Sequence, residues 1–227
     1  MSETKLVNGY PFIPFSQNKI SEEESLVKSQ QFLNVMLQRR SIRYFSDKPV
    51  AFEIMNNILA VANTAPSGAN KQPWTFCLIK NAEIKKQIRE AAEQEEFESY
   101  NGRMTPEWLA DLAPLQTDWK KDFLEIAPWL IVVFKKSYDV DINGKKRTNY
   151  YTLESTGIAT GFLISAIHAV GLVTLTHTPS PMNFLSRLLN RPENEKPFLL
   201  LPVGYAADEC WVPQLKKKPV NEVTVIY

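Results

Sequence analysis

Hydrophobic residues recur at helical spacing in the segment that begins at Ser21, where Val27, Phe32 and Val35 mark one apolar face. Ser21 followed by Glu24 matches a capping box, so a helix should begin there and end near the next arginines. Two prolines precede it, and residues 1–20 are expected to form an extended arm. A second helical pattern follows the arginines and is stopped by a proline at position 66.

Continuous apolar runs further along the chain predict buried strands. They are WTFCLIK, WLIVVFKK and KPFLLLPVGYA, which start at residues 74, 129 and 196. The final stretch, NEVTVIY, alternates apolar and polar residues as an edge strand does. Helical patterns separate these runs. The sequence therefore predicts one sheet with helices on both faces, in an α+β or α/β fold.

The stretch from Gly157 to Thr176 is long enough to cross a membrane and carries no formal charge. Ser165 and His168 interrupt it, however, and Gly171 separates a helical part from a β-branched part. A buried core helix that leads into a core strand is the favoured interpretation. Because the N-terminus also lacks the features of a signal peptide, a cytoplasmic protein without a membrane anchor is expected.

The composition is that of a soluble globular protein. The chain has 227 residues, of which 44% are hydrophobic and 22% charged, and this predicts a single domain over residues 1–227. A formal net charge of +1 provides no field that would attract nucleic acid or an anionic membrane, so neither is expected as a partner.

Several well-known kinds of site are excluded by the motifs. The sequence lacks the glycine-rich fingerprints of nucleotide-binding loops and the G-x-S-x-G motif of serine hydrolases. Cys77 and Cys210 have no metal or redox spacing, and reduced thiols are expected. His168 and His177 are not spaced as metal ligands on a helix, so no metal site is predicted.

Arg39, Arg40, Ser41 and Arg43 form a basic cluster with a hydroxyl at the predicted end of the first helix. These side chains suit a phosphate monoester, because each guanidinium donates two hydrogen bonds and keeps its charge. Positive charge at a helix C-terminus is also favourable for the macrodipole. The residues themselves leave both interpretations open.

A later helix carries its charges in the order that opposes the macrodipole. Its basic residues lie near its start and its acids near its end, the acids being Glu93, Glu95, Glu96 and Glu98. A solvated helix face is the default explanation of such a run, and it is the one expected for Glu93 and Glu95.

Segments along most of the chain resemble the FMN-dependent nitroreductase superfamily: RRSIRYFSDKPV, TAPSGANKQPW, GLVTLTHTP and LLLPVGY. Others are similar to its iodotyrosine deiodinase branch: EEFESYNGRM, LQTDWKKDFLEIAP, NRPENEKPFLLLPVGY and VPQLKKKPV. The resemblance implies a nitroreductase-like α+β fold with a central mixed sheet, and an arm-exchanged homodimer with FMN at the subunit interface. It further implies arms at residues 1–20 and 206–227 and an active-site lid at residues 93–122.

The resemblance also implies which residues bind FMN. By position, Arg39, Arg40 and Ser41 would hold the phosphate, and Arg43 would stabilise negative charge on the pyrimidine edge of reduced flavin. The full expected set is Arg39, Arg40, Ser41, Ile42, Arg43, Ser67, Gly68, Thr176, His177, Thr178 and Lys217. Within it, His177 departs from the threonine expected at its position.

Thr178 is expected to be the catalytic residue that tunes the flavin. A hydroxyl that hydrogen-bonds flavin N5 favours one-electron chemistry, because the N5–H of the neutral semiquinone can donate a hydrogen bond to the hydroxyl oxygen. The alternative is a strand-end threonine that satisfies its own backbone.

The resemblance further implies a clamp for the zwitterion of a halotyrosine. Glu96 would bind the ammonium group and Lys121 the carboxylate. Tyr100 follows Glu96 by four residues, so it shares the same helix face and would also bind the zwitterion. The backbone N–H of Ala69 would bind the phenolate oxygen.

The implied activity is reductive dehalogenation of mono- and diiodotyrosine to tyrosine and iodide. The alternatives are a general NAD(P)H-dependent nitroreductase or flavin reductase and, in a different class, a flavin-storing protein without catalysis. An external reductant, NADPH or a reductase, must feed the flavin, and no nicotinamide motif identifies which.

Overall fold

The computed structural model describes residues 4–227, so the first three residues of the predicted N-terminal arm lie outside the described residues. The described chain divides into two compact units, one ending at Gln38 and the other running from Arg39 to Tyr227. Every residue that the sequence predicts to bind cofactor or substrate belongs to the second unit.

The sequence predicts an extended arm at residues 1–20. The structure shows a hairpin in its place over part of this segment. Strands β1 (Lys5–Val7) and β2 (Tyr10–Phe12) pair in antiparallel fashion. Asn8 and Gly9 connect them with φ angles of 51° and 84°. Positive φ at both central positions is the turn geometry for which Asn-Gly is preferred, which explains why the chain reverses here.

Helix α1 (Glu22–Leu37) follows the hairpin. The Ser21 hydroxyl accepts the N–H of Glu24 at 3.1 Å, which confirms the predicted helix start. Within the described chain no residue of α1 is buried, and large apolar side chains such as Phe32 are exposed.

The second unit is built on a four-stranded sheet. Its strands are β3 (Trp74–Ile79), β4 (Trp129–Lys136), β7 (Val173–Thr174) and β8 (Glu195–Gly204), in the spatial order β3–β4–β8–β7. The ladders between them are antiparallel, and Ser41 adds a parallel bridge to Thr174. A separate hairpin joins β5 (Tyr138–Val140) to β6 (Lys146–Thr148).

Six further helices belong to this unit. They are α2 (Phe52–Asn63), α3 (Ala82–Glu98), α4 (Pro106–Leu112), α5 (Phe123–Ile126), α6 (Thr152–Ala169) and α7 (Asn183–Leu188). The predicted stop of the second helical pattern is confirmed, since α2 ends shortly before Pro66.

Strand β4 supplies residues to both faces of the sheet, because successive side chains point to opposite sides. Leu130, Val132 and Phe134 are fully buried with residues of α3, α5 and α7. Ile131 and Val133 are fully buried with residues of α2 and α6. This arrangement confirms the prediction of helices on both faces.

Helix α6 is the buried core helix that the sequence predicts. Ala159, Leu163 and Ile167 are fully buried, and β7 follows after the turn at Gly171. Among the helices of residues 4–227, none combines the length and apolar character needed to cross a membrane.

The predicted edge strand NEVTVIY is wrong. Residues Val220–Glu222 form a short 3-10 turn, and the following described residues belong to no strand. Val225 and Ile226 are exposed in this chain. A strand needs a neighbour to pair with its N–H and C=O groups, and alternation of side chains cannot supply that neighbour.

Candidate active site

A cavity of about 200 Å³ lies between the end of α3, helix α4 and the segment that follows β7. Its lining brings together residues that the sequence predicts as one site, namely Arg43, Glu96, Tyr100, Lys121, Thr176, His177 and Thr178. Two walls can be distinguished, one with the predicted substrate clamp and one with the predicted flavin contacts.

Glu96 and Lys121 form a buried ion pair in the first wall. Lys121 Nζ lies 3.7 Å from Glu96 Oε2, with 4% of the lysine side chain and 12% of the glutamate side chain exposed. The ammonium group also donates to the carbonyl oxygen of Asp118 and lies 5.7 Å from the centre of the Tyr100 ring. Tyr100 donates its hydroxyl hydrogen to the carbonyl oxygen of Thr117 at 3.0 Å. The three side chains of the predicted clamp therefore meet.

Glu93 fixes the backbone of Lys121. Its carboxylate accepts the N–H of Lys121 at 2.7 Å and a guanidinium N–H of Arg89 at 2.5 Å. The prediction of a solvated Glu93 is therefore wrong, because this carboxylate joins α3 to the loop before α5. Glu95 is not simply solvated either, since it accepts a hydrogen bond from Arg103 at 2.7 Å.

Burial controls the charges of the clamp. It raises the pKa of Glu96, and the neighbouring Lys121 ammonium group opposes that change. Burial lowers the pKa of Lys121, and here Glu96 opposes the change. Burial also raises the pKa of Tyr100, so the phenol keeps its proton at neutral pH. Each charge of the pair thus depends on its partner.

The arginine segment and the chain after β7 form the second wall. The N–H of Ile42 donates to the carbonyl oxygen of Thr174 at 3.1 Å, next to the parallel bridge from Ser41. This pairing places Arg43 beside the cavity residues Thr176, His177 and Thr178. The side chain of Ile42, predicted as a flavin contact, packs in the core instead.

His177 is 6% exposed and is held at both backbone and ring. Its backbone exchanges hydrogen bonds of 2.9 and 3.0 Å with Leu200, and its ring meets Phe123 edge to face at a centroid distance of 5.9 Å. Burial lowers the pKa of His177 to about 3, with the charges of Lys121 and Arg43 acting in the same direction. The imidazole is therefore neutral at pH 7, and its Nε2 has no hydrogen-bond partner among the described residues.

Comparison with known proteins connects this cavity to a family. Residues 36–205 match the Nitroreductase family. The chain is 57% identical over 216 residues to an iodotyrosine deiodinase of Haliscomenobacter hydrossis, covering 95% of this chain and 97% of that protein. It is 44% identical to iodotyrosine deiodinase 1 of Homo sapiens, covering 94% of this chain and 74% of the human protein. This chain belongs to the iodotyrosine deiodinase family.

The fold agrees with that assignment. A crystal structure of oxidized iodotyrosine deiodinase bound to FMN and 3-iodo-L-tyrosine matches with a TM-score of 0.72 at 32% identity. The match covers 86% of this chain and 98% of that chain. The predicted resemblance is confirmed, and this member of the iodotyrosine deiodinase family is an oxidoreductase with a nitroreductase-like α+β fold.

In this deiodinase-family chain, the predicted phosphate-binding residues lie next to the C-terminal segment. Arg40 donates to the carbonyl oxygen of Pro213, and Ser41 lines a neighbouring cavity of about 290 Å³ that Pro213 also lines. Arg39 is half-buried, whereas Lys217 is exposed. Because a residue spans at most about 3.6 Å of chain, the Cα atom of Lys217 lies within roughly 15 Å of that of Pro213, the residue that Arg40 contacts.

The predicted loop of Ser67, Gly68 and Ala69 is not part of the cavity lining in the described chain. Ser67 Oγ accepts the N–H of Gln72 at 2.9 Å, and Ala69 has a left-handed φ of 49°. A Cβ atom added to Gly68 would lie 2.8 Å from a ring carbon of Tyr151, so a larger residue cannot fit without a shift. One chain of this deiodinase-family member assembles the clamp and the arginine wall without this loop.

Sequence reasoning missed an apolar wall formed by Met104, Trp108 and Leu112. Trp108 and Leu112 are spaced four apart in α4 and so share one side of the helix, whereas Met104 lies just before the helix in extended backbone. Thr105 caps the helix by accepting the N–H of Trp108 at 3.2 Å. The spacing was the available signal, and it went unused because the segment is short.

Proposed function

We propose that this chain is an FMN-dependent reductive dehalogenase of halotyrosines, which converts mono- and diiodotyrosine to tyrosine and iodide. The observation that carries the proposal is one cavity with Glu96, Lys121 and Tyr100 on one wall and Arg43 and Thr178 on the other. The names of the relatives and the ligands of the similar crystal structure support the same activity.

FMN suits the residues of the arginine wall. Arg39, Arg40 and Ser41 offer guanidinium and hydroxyl donors for its phosphate. Arg43 lines the cavity itself, where its fixed charge would stabilise negative charge on the pyrimidine edge of the flavin. When bound, FMN supplies the electrons of the reaction, and an external reductant, NADPH or a reductase, replaces them.

The substrate zwitterion would replace one ion pair by two. Its ammonium group would pair with Glu96 and its carboxylate with Lys121, while the wall at Trp108 would exclude water from the halogenated ring. The N–H of Ala69 would donate a hydrogen bond to the phenolate oxygen and so stabilise its negative charge. Replacement of the carbon–iodine bond by a carbon–hydrogen bond consumes two electrons and one proton and releases iodide.

Thr178 would donate its hydroxyl hydrogen bond to flavin N5 or accept one from it, and so favour electron transfer in single steps. We expect Thr178→Ala to keep FMN bound and to slow dehalogenation by roughly tenfold or more, the effect of losing one positioned hydrogen-bonding group. Dehalogenation at the wild-type rate would remove Thr178 from the catalytic role.

We also propose that the enzyme is a homodimer in which a partner chain supplies the loop at Gly68 and Ala69 to the cavity. Exposed apolar side chains in α1 and near the C-terminus, such as Phe32 and Ile226, support a second copy as the covering partner. An equimolar mixture of Glu96→Gln chains and Gly68→Val chains should regain about a quarter of wild-type activity after subunit exchange, since about half of the dimers are then mixed and each mixed dimer has one intact site of two. No recovery on mixing would contradict a shared site.

The decisive experiment is anaerobic. Purified holoprotein, yellow if it holds flavin, is reduced chemically and mixed with iodotyrosine, and tyrosine and iodide are measured. Release of both is expected, and an absence of turnover would refute the proposed activity. Turnover of nitroaromatics with NADPH and no preference for zwitterions would favour the general nitroreductase instead.

A further inference from the structure

Arg103 bridges the two walls of the cavity. Its guanidinium donates to Glu95 Oε2 at 2.7 Å, to Glu98 Oε2, and to the carbonyl oxygen of Ser180 at 3.2 Å. Glu95 and Glu98 lie in the last turn of α3, whereas Ser180 lines the cavity two residues after Thr178. We propose that Arg103 is a positioning residue that holds the lid, residues 93–122, against the Thr178 wall and thereby sets the affinity for halotyrosine. This inference rests on the proposed function.

The position of Arg103 within the lid supports this role. It ends a single π-helical turn, Ser99–Arg103, that contains Tyr100 of the clamp. The next residue, Met104, lines the cavity and donates its N–H to the carbonyl oxygen of Ser99 at 2.9 Å. The capped helix that bears Trp108 follows directly. A displacement of Arg103 would therefore move the clamp on one side and the apolar wall on the other.

Arg103 also determines which carboxylate is available to a ligand. Three acids, Glu95, Glu96 and Glu98, lie at the end of α3, where negative charge is unfavourable. Arg103 pairs with Glu95 and Glu98 and leaves Glu96 to face Lys121 in the cavity. A ligand ammonium group is thereby directed to Glu96 and not to its neighbours.

Arginine is the side chain that this junction requires. Its three acceptors belong to two carboxylates and a carbonyl group, and a planar guanidinium offers donors in several fixed directions, whereas the donors of lysine radiate from one atom. The Arg103 side chain is 43% exposed. Exposed ion pairs contribute little to global stability, so the effect of Arg103 should appear in substrate binding and not in unfolding.

The test compares Arg103→Gln and Arg103→Lys with Arg147→Gln in the holoprotein. Arg147 is a matched control, because it pairs with Asp141 at 3.1 Å on the β5–β6 hairpin and is 60% exposed. We expect Arg103→Gln to raise the Kd and KM for iodotyrosine roughly five- to tenfold, with kcat and FMN affinity within about twofold of wild type. Arg103→Lys should recover part of the loss, and Arg147→Gln should behave as wild type.

An unchanged Kd in Arg103→Gln would overturn the inference. A parallel fall in FMN affinity and unfolding temperature would also overturn it, because that pattern marks a purely structural residue. Limited proteolysis of the lid gives a readout without turnover. Arg103→Gln should need more iodotyrosine than wild type for the same protection from cleavage. Equal protection at equal iodotyrosine concentration would count against the positioning role of Arg103. If iodotyrosine protects the wild-type lid but no tyrosine is released, the proposed function is refuted while the positioning role of Arg103 is retained.

Discussion

Lys121 and Glu96 neutralise each other inside the cavity, with 3.7 Å between Nζ and Oε2. A zwitterion can offer each partner a new opposite charge, whereas a ligand with one charge can satisfy only one of them. An unpaired buried charge costs several kcal/mol. We therefore expect the pair to select against singly charged ligands as well as in favour of zwitterions.

This selection predicts an unusual order of affinities among halotyrosine analogues. Iodotyramine would pair with Glu96 and leave Lys121 unpaired, and the matching iodophenylpropanoate would do the reverse. We expect both to bind no tighter than uncharged 2-iodophenol and at least about tenfold more weakly than iodotyrosine. Titration of the flavin fluorescence measures each Kd. A singly charged analogue that binds clearly tighter than 2-iodophenol would show that the pair breaks at little cost.

Glu96→Gln should keep FMN bound and weaken iodotyrosine by roughly 2–5 kcal/mol, because it removes the partner of the substrate ammonium and leaves Lys121 buried without its acid. The matched control is Glu90→Gln on the same helix, where the glutamate side chain is 54% exposed. The same fluorescence titration decides the matter. Equal affinities in wild type and Glu96→Gln would exclude this glutamate from the clamp.

The pH range of iodotyrosine binding should be narrowed from both sides by the clamp. Burial raises the pKa of Glu96 above 4.5, so the carboxylate is lost at a higher pH than usual as the solution is acidified. Burial lowers the pKa of Lys121 below 10.5, so the ammonium group is lost at a lower pH than usual as the solution is made alkaline. Kd should be measured as a function of pH, with the titrations of free iodotyrosine as reference. Binding should weaken at a higher pH on the acid side, and at a lower pH on the alkaline side, than unperturbed glutamate and lysine would give. Loss of binding at the ordinary pKa values of glutamate and lysine would argue against a buried pair.

His177 should make the fold sensitive to acid. The pKa of His177 is about 3 in the folded chain and 6.5 when unperturbed. Between these two pH values the imidazole is protonated in the unfolded chain and neutral in the folded chain. Stability is therefore complete above pH 6.5 and falls as the pH drops, by about 1.4 kcal/mol per unit. Urea unfolding at pH 6.5 and 5.0, with FMN at a fixed excess, should show about 2 kcal/mol more loss in wild type than in His177→Gln. Parallel losses in the two proteins would mean that His177 titrates normally.

Lys85→Met should destabilise the fold by roughly 2–4 kcal/mol. The buried ammonium group donates to the carbonyl oxygens of Glu125 and Ala127 at 2.7 and 2.8 Å, and methionine would leave both acceptors without that donor. The neighbouring Lys86 is exposed, so Lys86→Met serves as the control. Similar urea midpoints for the two variants would show that water replaces the lost donor.

Local signals predicted much of the fold, because helix ends and buried strands depend on residues that are neighbours in the sequence. The Ser21 cap and the apolar run that starts at Trp74 need no knowledge of distant contacts. The clamp came from family resemblance, since nothing local connects Glu96 to a lysine 25 residues further along the sequence.

The failures share one physical cause, which is dependence on a partner distant in sequence. Glu93 looks like a solvated acid until the N–H of Lys121 is brought to it by the fold. The alternation in NEVTVIY fits a strand, yet these residues pair with no strand of the described chain. His177 reads as a residue between two threonines, and its burial depends on Phe123 and on its pairing with Leu200.

The hydrogen bond between Glu93 and the backbone of Lys121 closes the base of a long segment. It brings together two points that are 28 residues apart in the chain, so the intervening segment starts and finishes at nearly the same place. A loop closed at its base can be lengthened or shortened at a small entropic cost and without displacing the sheet beneath it. We therefore expect insertions or deletions within this segment to alter the cavity walls that it carries while the strands of the sheet keep their pairing.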